Sequence, residues 1–288
     1  IATKQGQHGP VIAGVSTINS TGCMKIPSGN DSNRVGVSTY VLNGTIPSKG
    51  LRIFLDAGDL SSNDTNDPQS VWRNLSNHPS KGDFSFDTFG TITRTTGATG
   101  SIELSGGDEG AVVGSESTSD LFRKNNGSGT LFLILKPDDV STRQTIISGY
   151  DSTTNRWDFE ISSNKITGGN HNTDLYYSTA STVSADTTYT LGIVLDTSKD
   201  RLSGISTDQS GNVQTYYLNG SLDSNHAFPI SKNANWQSDI FISLGRRPTQ
   251  RTNFEYNGEF FVFIVYDRPL DADEILQLHN AFKDRYGL

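Results

Sequence analysis

Asn257-Gly258-Glu259-Phe260-Phe261-Val262-Phe263-Ile264-Val265-Tyr266-Asp267-Arg268-Pro269-Leu270 is the stretch that decides the fold. Its aromatic and β-branched run from Phe260 to Tyr266 suits a pleated, largely buried surface. Asn257-Gly258 ahead of it is a tight-turn signal, because a type I′ turn needs φ > 0 at both central positions. Behind it, Asp271-Ala272-Asp273-Glu274 has the spacing of a capping box. Ile275, Leu278, Phe282 and Tyr286 then share one face before Gly287 ends the run. The reading is a strand followed by an amphipathic helix that covers an edge or face of a sheet.

Working outward from there, short apolar runs recur between turn signals. Leu51 to Leu55 stops at Asp56-Ala57-Gly58-Asp59, and Val71-Trp72-Arg73-Asn74-Leu75 is the one apolar anchor in a polar, turn-rich region over residues 60–100. Strands are expected at Ser101 to Leu104, Leu131 to Leu135, Thr145 to Tyr150, Trp157 to Ile161 and Leu175 to Ser178. Tyr189 to Leu195, Val213 to Leu218 and Ile240 to Leu244 continue the series, with a second tight-turn signal at Asn219-Gly220. Regular short strands separated by turns predict an all-β, antiparallel β-sandwich with a C-terminal helix.

Residues 1–49 have a different texture. Val11 to Val15 and Val35 to Val41 are short alternating pieces between Gly, Ser, Asn and Pro clusters, too short to enclose a core. This segment is read as an attachment or assembly piece that gains order on a neighbour, with the junction at Ile46-Pro47-Ser48-Lys49-Gly50 and the main domain over residues 50–288.

Composition agrees with the strand pattern. Hydrophobic residues make up 33% and charged residues 19% of 288, the remainder being rich in turn formers. The net charge of −8 carries no basic face, which argues against a nucleic-acid partner. No apolar run is long enough to predict membrane insertion. Cys23 is the single cysteine, so no disulfide can form within the chain, which fits folding in a reducing cytosol. The start Ile1-Ala2-Thr3-Lys4 lacks the features of a secretion signal, and the chain is expected to be a processed product or part of a longer one.

These residues carry a resemblance. Leu131 to Pro137, Gln144 to Ser148, Tyr189 to Val194 and Tyr217-Leu218-Asn219-Gly220 are similar to successive strands of the concanavalin A-like, laminin-G-type jelly roll. Asn257 to Leu270 with Arg285-Tyr286-Gly287-Leu288 resembles its last strand and terminal helix. The phrasing looks like laminin-G-like domains of tailed-phage structural proteins. Lys25-Ile26-Pro27-Ser28-Gly29 through Arg34 is similar to a segment of phage fibre proteins, with Val35 where that segment has proline. The resemblance implies a virion structural protein, a fibre, decoration or tail-associated component. It implies contacts to other virion proteins through residues 1–49, a homo-oligomer within an assembly, a place on the virion surface and a role in binding host-surface glycans.

Sugars offer C–H patches and hydroxyls, so candidate binding groups are aromatic faces beside planar polar side chains. Trp236 in its polar stretch, and Tyr176 and Tyr177 after Asn170 and His171, are the candidates, and the bland alternative is that each aromatic caps the core. Arg246 and Arg247, with Arg251, form a compact basic group suited to an acidic neighbour or an anionic sugar. Asp56, Asp59, Asn63 and Asp64 can donate oxygens to calcium, with turn formation as the alternative. A free lectin and a glycoside hydrolase are the competing functions. For hydrolysis, Trp157-Asp158-Phe159-Glu160-Ile161 puts Asp158 and Glu160 on one strand face but lacks the flanking glutamate of the laminarinase type, so a non-enzyme is expected.

Overall fold

The computed structural model describes residues 17–18, 24–25, 45–62, 71–76, 82–86, 92–95, 97–106, 112–117, 128–152, 155–170, 175–196, 211–229, 241–247 and 254–288. The early expectations at Val11 to Val15 and Val35 to Val41 lie outside them. Two short strands, β1 (Thr17–Ile18) and β2 (Met24–Lys25), pair antiparallel with each other.

The remaining strands form two sheets. The first contains β4 (Val71–Trp72), β5 (Phe84–Phe86), β8 (Val112–Ser117), β10 (Gln144–Ser152), β11 (Asn155–Ser162), β12 (Lys165–Asn170), β13 (Leu175–Ser178) and β17 (Phe241–Leu244). Their order is β13-β12-β11-β10-β17-β8-β5-β4. The second contains β3 (Leu51–Asp56), β6 (Thr93–Arg94), β7 (Ile102–Ser105), β9 (Gly129–Pro137), β14 (Tyr189–Asp196), β15 (Gly211–Leu218), β16 (Ser221–Pro229) and β18 (Asn257–Tyr266). Its order is β16-β15-β14-β9-β18-β7-β6, with β3 also paired to β18. All strand pairings are antiparallel among the described residues. The chain is an antiparallel β-sandwich.

The central strands of the second sheet, β9, β14 and β18, are buried on both faces, which explains their near-continuous apolar runs. Leu131, Leu133 and Leu135 of β9 face the first sheet, while Phe132 and Ile134 between them face a helix, α1 (Ala272–Tyr286). In β18 a register shift between Phe260 and Val262 lets Phe261 and Val262 both face the helix side before alternation resumes. Ile275, Leu278 and Phe282 of α1 complete that second core. The helix begins with the expected capping box, Asp271 accepting from the Glu274 N–H at 2.9 Å and Glu274 accepting from the Asp271 N–H at 3.2 Å. It ends at Gly287 in the left-handed region, φ 68°.

The two tight-turn signals have different outcomes. Asn219 and Gly220, φ 50° and 75°, turn β15 into β16 as expected. Asn257-Gly258 is not a hairpin end but the start of β18, flanked by β7 and β9. A side chain on Gly258 would come within 2.3 Å of the Lys136 carbonyl oxygen, so the glycine is there for close strand approach.

Asn74 protects the outer edge of β3, accepting from the Phe54 N–H at 2.8 Å and donating to the Arg52 carbonyl at 2.9 Å. The junction residues also hold the sandwich. Ile46 is buried in the helix-side core, and the Pro47 and Lys49 carbonyls accept from Tyr266 and Arg268.

Candidate functional site

Strand alternation sets the site. Trp157, Phe159 and Ile161 of β11 fill the core between the sheets, so Asp158 and Glu160 project from the opposite, outer face of the first sheet. Cross-strand register extends this face into two rows. Asp158 stands opposite Ser148 of β10, which stands opposite Ser243 of β17. Glu160 stands between Thr145 of β10 and Thr167 of β12, and Thr167 stands opposite Ser178 of β13. The Thr167 and Ser178 hydroxyls share a hydrogen bond of 2.8 Å.

Two buried carboxylates side by side need counter-charge. Arg247, which directly follows the Gly245-Arg246 bend after β17, donates through Nε to Asp158 Oδ2 at 2.8 Å and through Nη2 to Glu160 Oε1. Arg143, just before β10, donates through Nε to Glu160 Oε2 at 2.5 Å. Both guanidiniums lie over the Phe254 ring, 4.7 Å and 5.0 Å from its centroid for Arg143 and Arg247. Phe254 itself has φ 72°, a costly conformation for a bulky side chain, and backbone bonds hold it there. Its carbonyl accepts from the Thr145 N–H at 2.7 Å, while Tyr256 N–H donates to the Gly245 carbonyl at 2.7 Å.

Asp158 and Glu160 are 0% and 1% exposed, whereas the Arg143 side chain is 39% exposed. Burial, with the Asp158 charge beside it, pushes the Glu160 carboxyl up, against the pull of Arg143 and Arg247. Thr145 and Ser243 are fully buried on this face, and their hydroxyl oxygens have no hydrogen-bond partner. The arrangement supplies fixed donors and neutral hydroxyls. It does not leave Asp158 and Glu160 free as an acid–nucleophile pair.

The sequence-predicted residues fall in several places. Arg246 and Arg247, read as a basic group suited to an acidic neighbour or an anionic sugar, are each 2% exposed. Arg247 is withdrawn into the carboxylate pair, and the Arg246 carbonyl accepts from Ser148 Oγ at 3.1 Å. Tyr177 is not an open platform. It packs on the main core, and His226 stacks on its ring at 4.7 Å and 18°. Tyr176 occupies the β13 position opposite Gly169, which is itself opposite Asp158, and Asn170 ends β12 opposite Leu175. His171 and Trp236 lie outside the described residues.

Of the four oxygen donors proposed for calcium, Asp56 and Asp59 lie among the described residues. Asp56 is buried, and Arg285 donates to both of its carboxylate oxygens while the Gly58 N–H donates at 3.0 Å. A guanidinium thus takes the place of a metal cation, and burial pushes the Asp56 carboxyl up. Asp59 accepts from the Ser61 N–H at 2.8 Å, as a turn former does. Asn63 and Asp64 lie outside the described residues. Among the described residues no group of three or more His, Cys, Asp or Glu is arranged to hold a metal ion.

Arg143, Thr145, Ser243 and Phe254 escaped the sequence reading. Arg143 and Thr145 gave no usable signal, because Gln144 between them is polar as well and breaks any alternation. Phe254 gave none, because its role depends on a left-handed backbone and on two arginines distant in sequence.

No family model matches the chain, and no curated protein matches it. Solved structures do. Trypanosoma rangeli sialidase in complex with 2,3-difluoro-KDN aligns over 83% of this chain and 33% of its own, with 12% identity and a TM-score of 0.58. This chain therefore spans about a third of the sialidase. Domain 4 of AbnA, a GH43 extracellular arabinanase from Geobacillus stearothermophilus, in complex with arabinotriose, aligns over 81% of this chain and 100% of its own, with 12% identity and a TM-score of 0.55. The binding domain of botulinum neurotoxin serotype D/C aligns over 81% and 52%, with 14% identity and a TM-score of 0.57. At these identities the likeness is one of fold.

Proposed function

We propose that this chain is a glycan-binding β-sandwich that does not cleave its ligand, displayed on a virion as a fibre, decoration or tail-associated component. The observation that carries the binding reading is the outer face of the first sheet, where arginines hold Asp158 and Glu160 and leave fixed donors beside neutral hydroxyls. A retaining glycosidase needs one carboxyl free to donate a proton and another free to attack. Here Arg247 bridges both. Support also comes from the arabinanase domain, matched over its full length and solved with arabinotriose, and from the study of botulinum neurotoxin type C whose cell entry depends on interaction with two ganglioside molecules. The virion part rests on the resemblance of Lys25 to Arg34 and of the closing strand and helix to phage structural proteins.

A glycan array probed with the purified chain, combined with a turnover assay on the glycans retained, tests the binding half. Retention of a defined subset without product is expected, and either no retention or product formation abolished by Glu160→Gln sinks the reading. Imaging of native particles tests display: the chain is expected on a particle surface, joined through residues 1–49. A chain recovered only as a free monomer would end that half.

A further inference from the structure

We infer that the open end of this face, at Arg143, receives the carboxylate of an acidic sugar, a uronic or sialic acid unit within a glycan. The inference rests on the glycan-binding reading and narrows it to a ligand class.

Arg143 is set up differently from Arg247. The Arg247 side chain is 3% exposed and donates to Asp158 and Glu160, whereas the side chain of Arg143 is 39% exposed and bonds to Glu160 through Nε alone. Its two Nη nitrogens have no hydrogen-bond partner among the described residues. The guanidinium is nevertheless held still. Glu160 fixes one edge, the Phe254 ring lies against its face at 4.7 Å, and Gln144 ties the adjoining backbone to the Asp139 loop and to Asn257. A planar fork with its terminal donors toward solvent and its rotamer fixed matches a carboxylate bidentately, at less ordering cost than a free arginine.

The surroundings select among anions. From Arg143 the row runs through Glu160 to the half-buried hydroxyls of Thr167 and Ser178, which lie two and three strands away, about 9 Å and about 14 Å at ordinary strand spacing. That length and its neutral hydroxyls suit an oligosaccharide with one charged unit. A chain of net charge −8 does not suit a polyanion such as nucleic acid. Thr145 Oγ1, buried and unpartnered two residues from Arg143, gives the same end of the row an unused polar group.

Trigalacturonic acid and 3′-sialyllactose are the probes, each against its uncharged counterpart, the trigalacturonate methyl ester and lactose, by calorimetric titration of the full chain. At least one acid is expected to bind about tenfold or more tightly than its counterpart, since a hydrogen bond to a charged group is worth that much. Arg143→Lys is expected to lose about tenfold and Arg143→Gln more, because the bidentate fork is lost first and the charge second. Thermal unfolding of both variants reports whether the fold survives, and the ester comparison on the unsubstituted chain stands without any variant. Equal affinity for acid and ester, or wild-type affinity in both variants, overturns the inference. Binding of neutral glycans alone overturns it while sparing the glycan-binding reading. Binding of no glycan at all overturns that reading with it.

Discussion

Arg247 is the residue whose loss the structure tolerates least on the outer face. It is the shared counter-ion of Asp158 and Glu160, both fully buried, so removing it leaves two like charges in a low-dielectric site. Arg247→Met is expected to destabilise the fold by about 3–5 kcal/mol in urea unfolding. The triple variant Asp158→Asn/Glu160→Gln/Arg247→Met is expected to recover much of that loss, because neither carboxylate then needs a partner. If the single variant costs nothing, the network is not closed as described. A different carboxylate contributes to the acid limb. The Ser141 and Thr142 hydroxyls and the Ser141 N–H hold Asp139 down from 3.8 to about 2. An acid with a depressed folded value contributes stability above its unfolded pKa and loses it as pH falls through the folded value. Asp139→Asn is therefore expected to flatten the loss of stability between about pH 4 and pH 2, measured by thermal unfolding. A variant that loses stability over that window as steeply as the original chain contradicts the assignment.

Elements show where sequence periodicity is enough. Helix α1 was legible to its ends because the capping box, the apolar face and the terminal glycine are local signals. Asp271→Ala is expected to cost about 1 kcal/mol through the lost N-cap, readable as a lower unfolding midpoint. The strands β9, β14 and β18 were legible as apolar runs, and the structure adds that they belong to one sheet covered on both faces. Strands β12 and β16 were missed because Lys165-Ile166-Thr167-Gly168-Gly169-Asn170 and Ser221 to Pro229 carry polar or small residues in place of an apolar alternation. Gly168 is small for a packing reason: a side chain there would meet the Phe159 ring and the Asp158 carbonyl oxygen, the latter at 2.6 Å. Gly258→Ala is expected to destabilise for the same kind of reason, since the obstacle is the Lys136 backbone and cannot swing away. An unchanged unfolding midpoint in that variant would show that β18 can move aside.

At the scale of the molecule, the helix is a third layer. It covers Phe132, Ile134, Val262 and Ile264 on the outer face of the second sheet. A chain ending after Pro269 is expected to expose that face and to aggregate or bind a hydrophobic dye, seen by light scattering and dye fluorescence. A truncated chain that stays monodisperse and dye-silent would mean that the face is covered by something other than α1. Arg285 secures the far end of this layer by donating to Asp56 at the end of β3, so one of the four oxygen donors read as calcium candidates in the sequence works as half of a latch.

Alternating and clustered apolar residues, frequent turn formers and a complete set of helix signals determined that this chain forms an antiparallel sandwich closed by a helix, because strand and helix periodicities are properties of neighbouring residues. Which polar groups meet was decided by tertiary structure alone. Arg143, Glu160, Arg247 and Phe254 come from separate strands and bends, and sheet register with one left-handed residue brings them within bonding distance. Contacts so far apart along the chain leave no local pattern, so neither the burial of Arg246 and Arg247 nor the partial exposure of Arg143 is legible in the sequence.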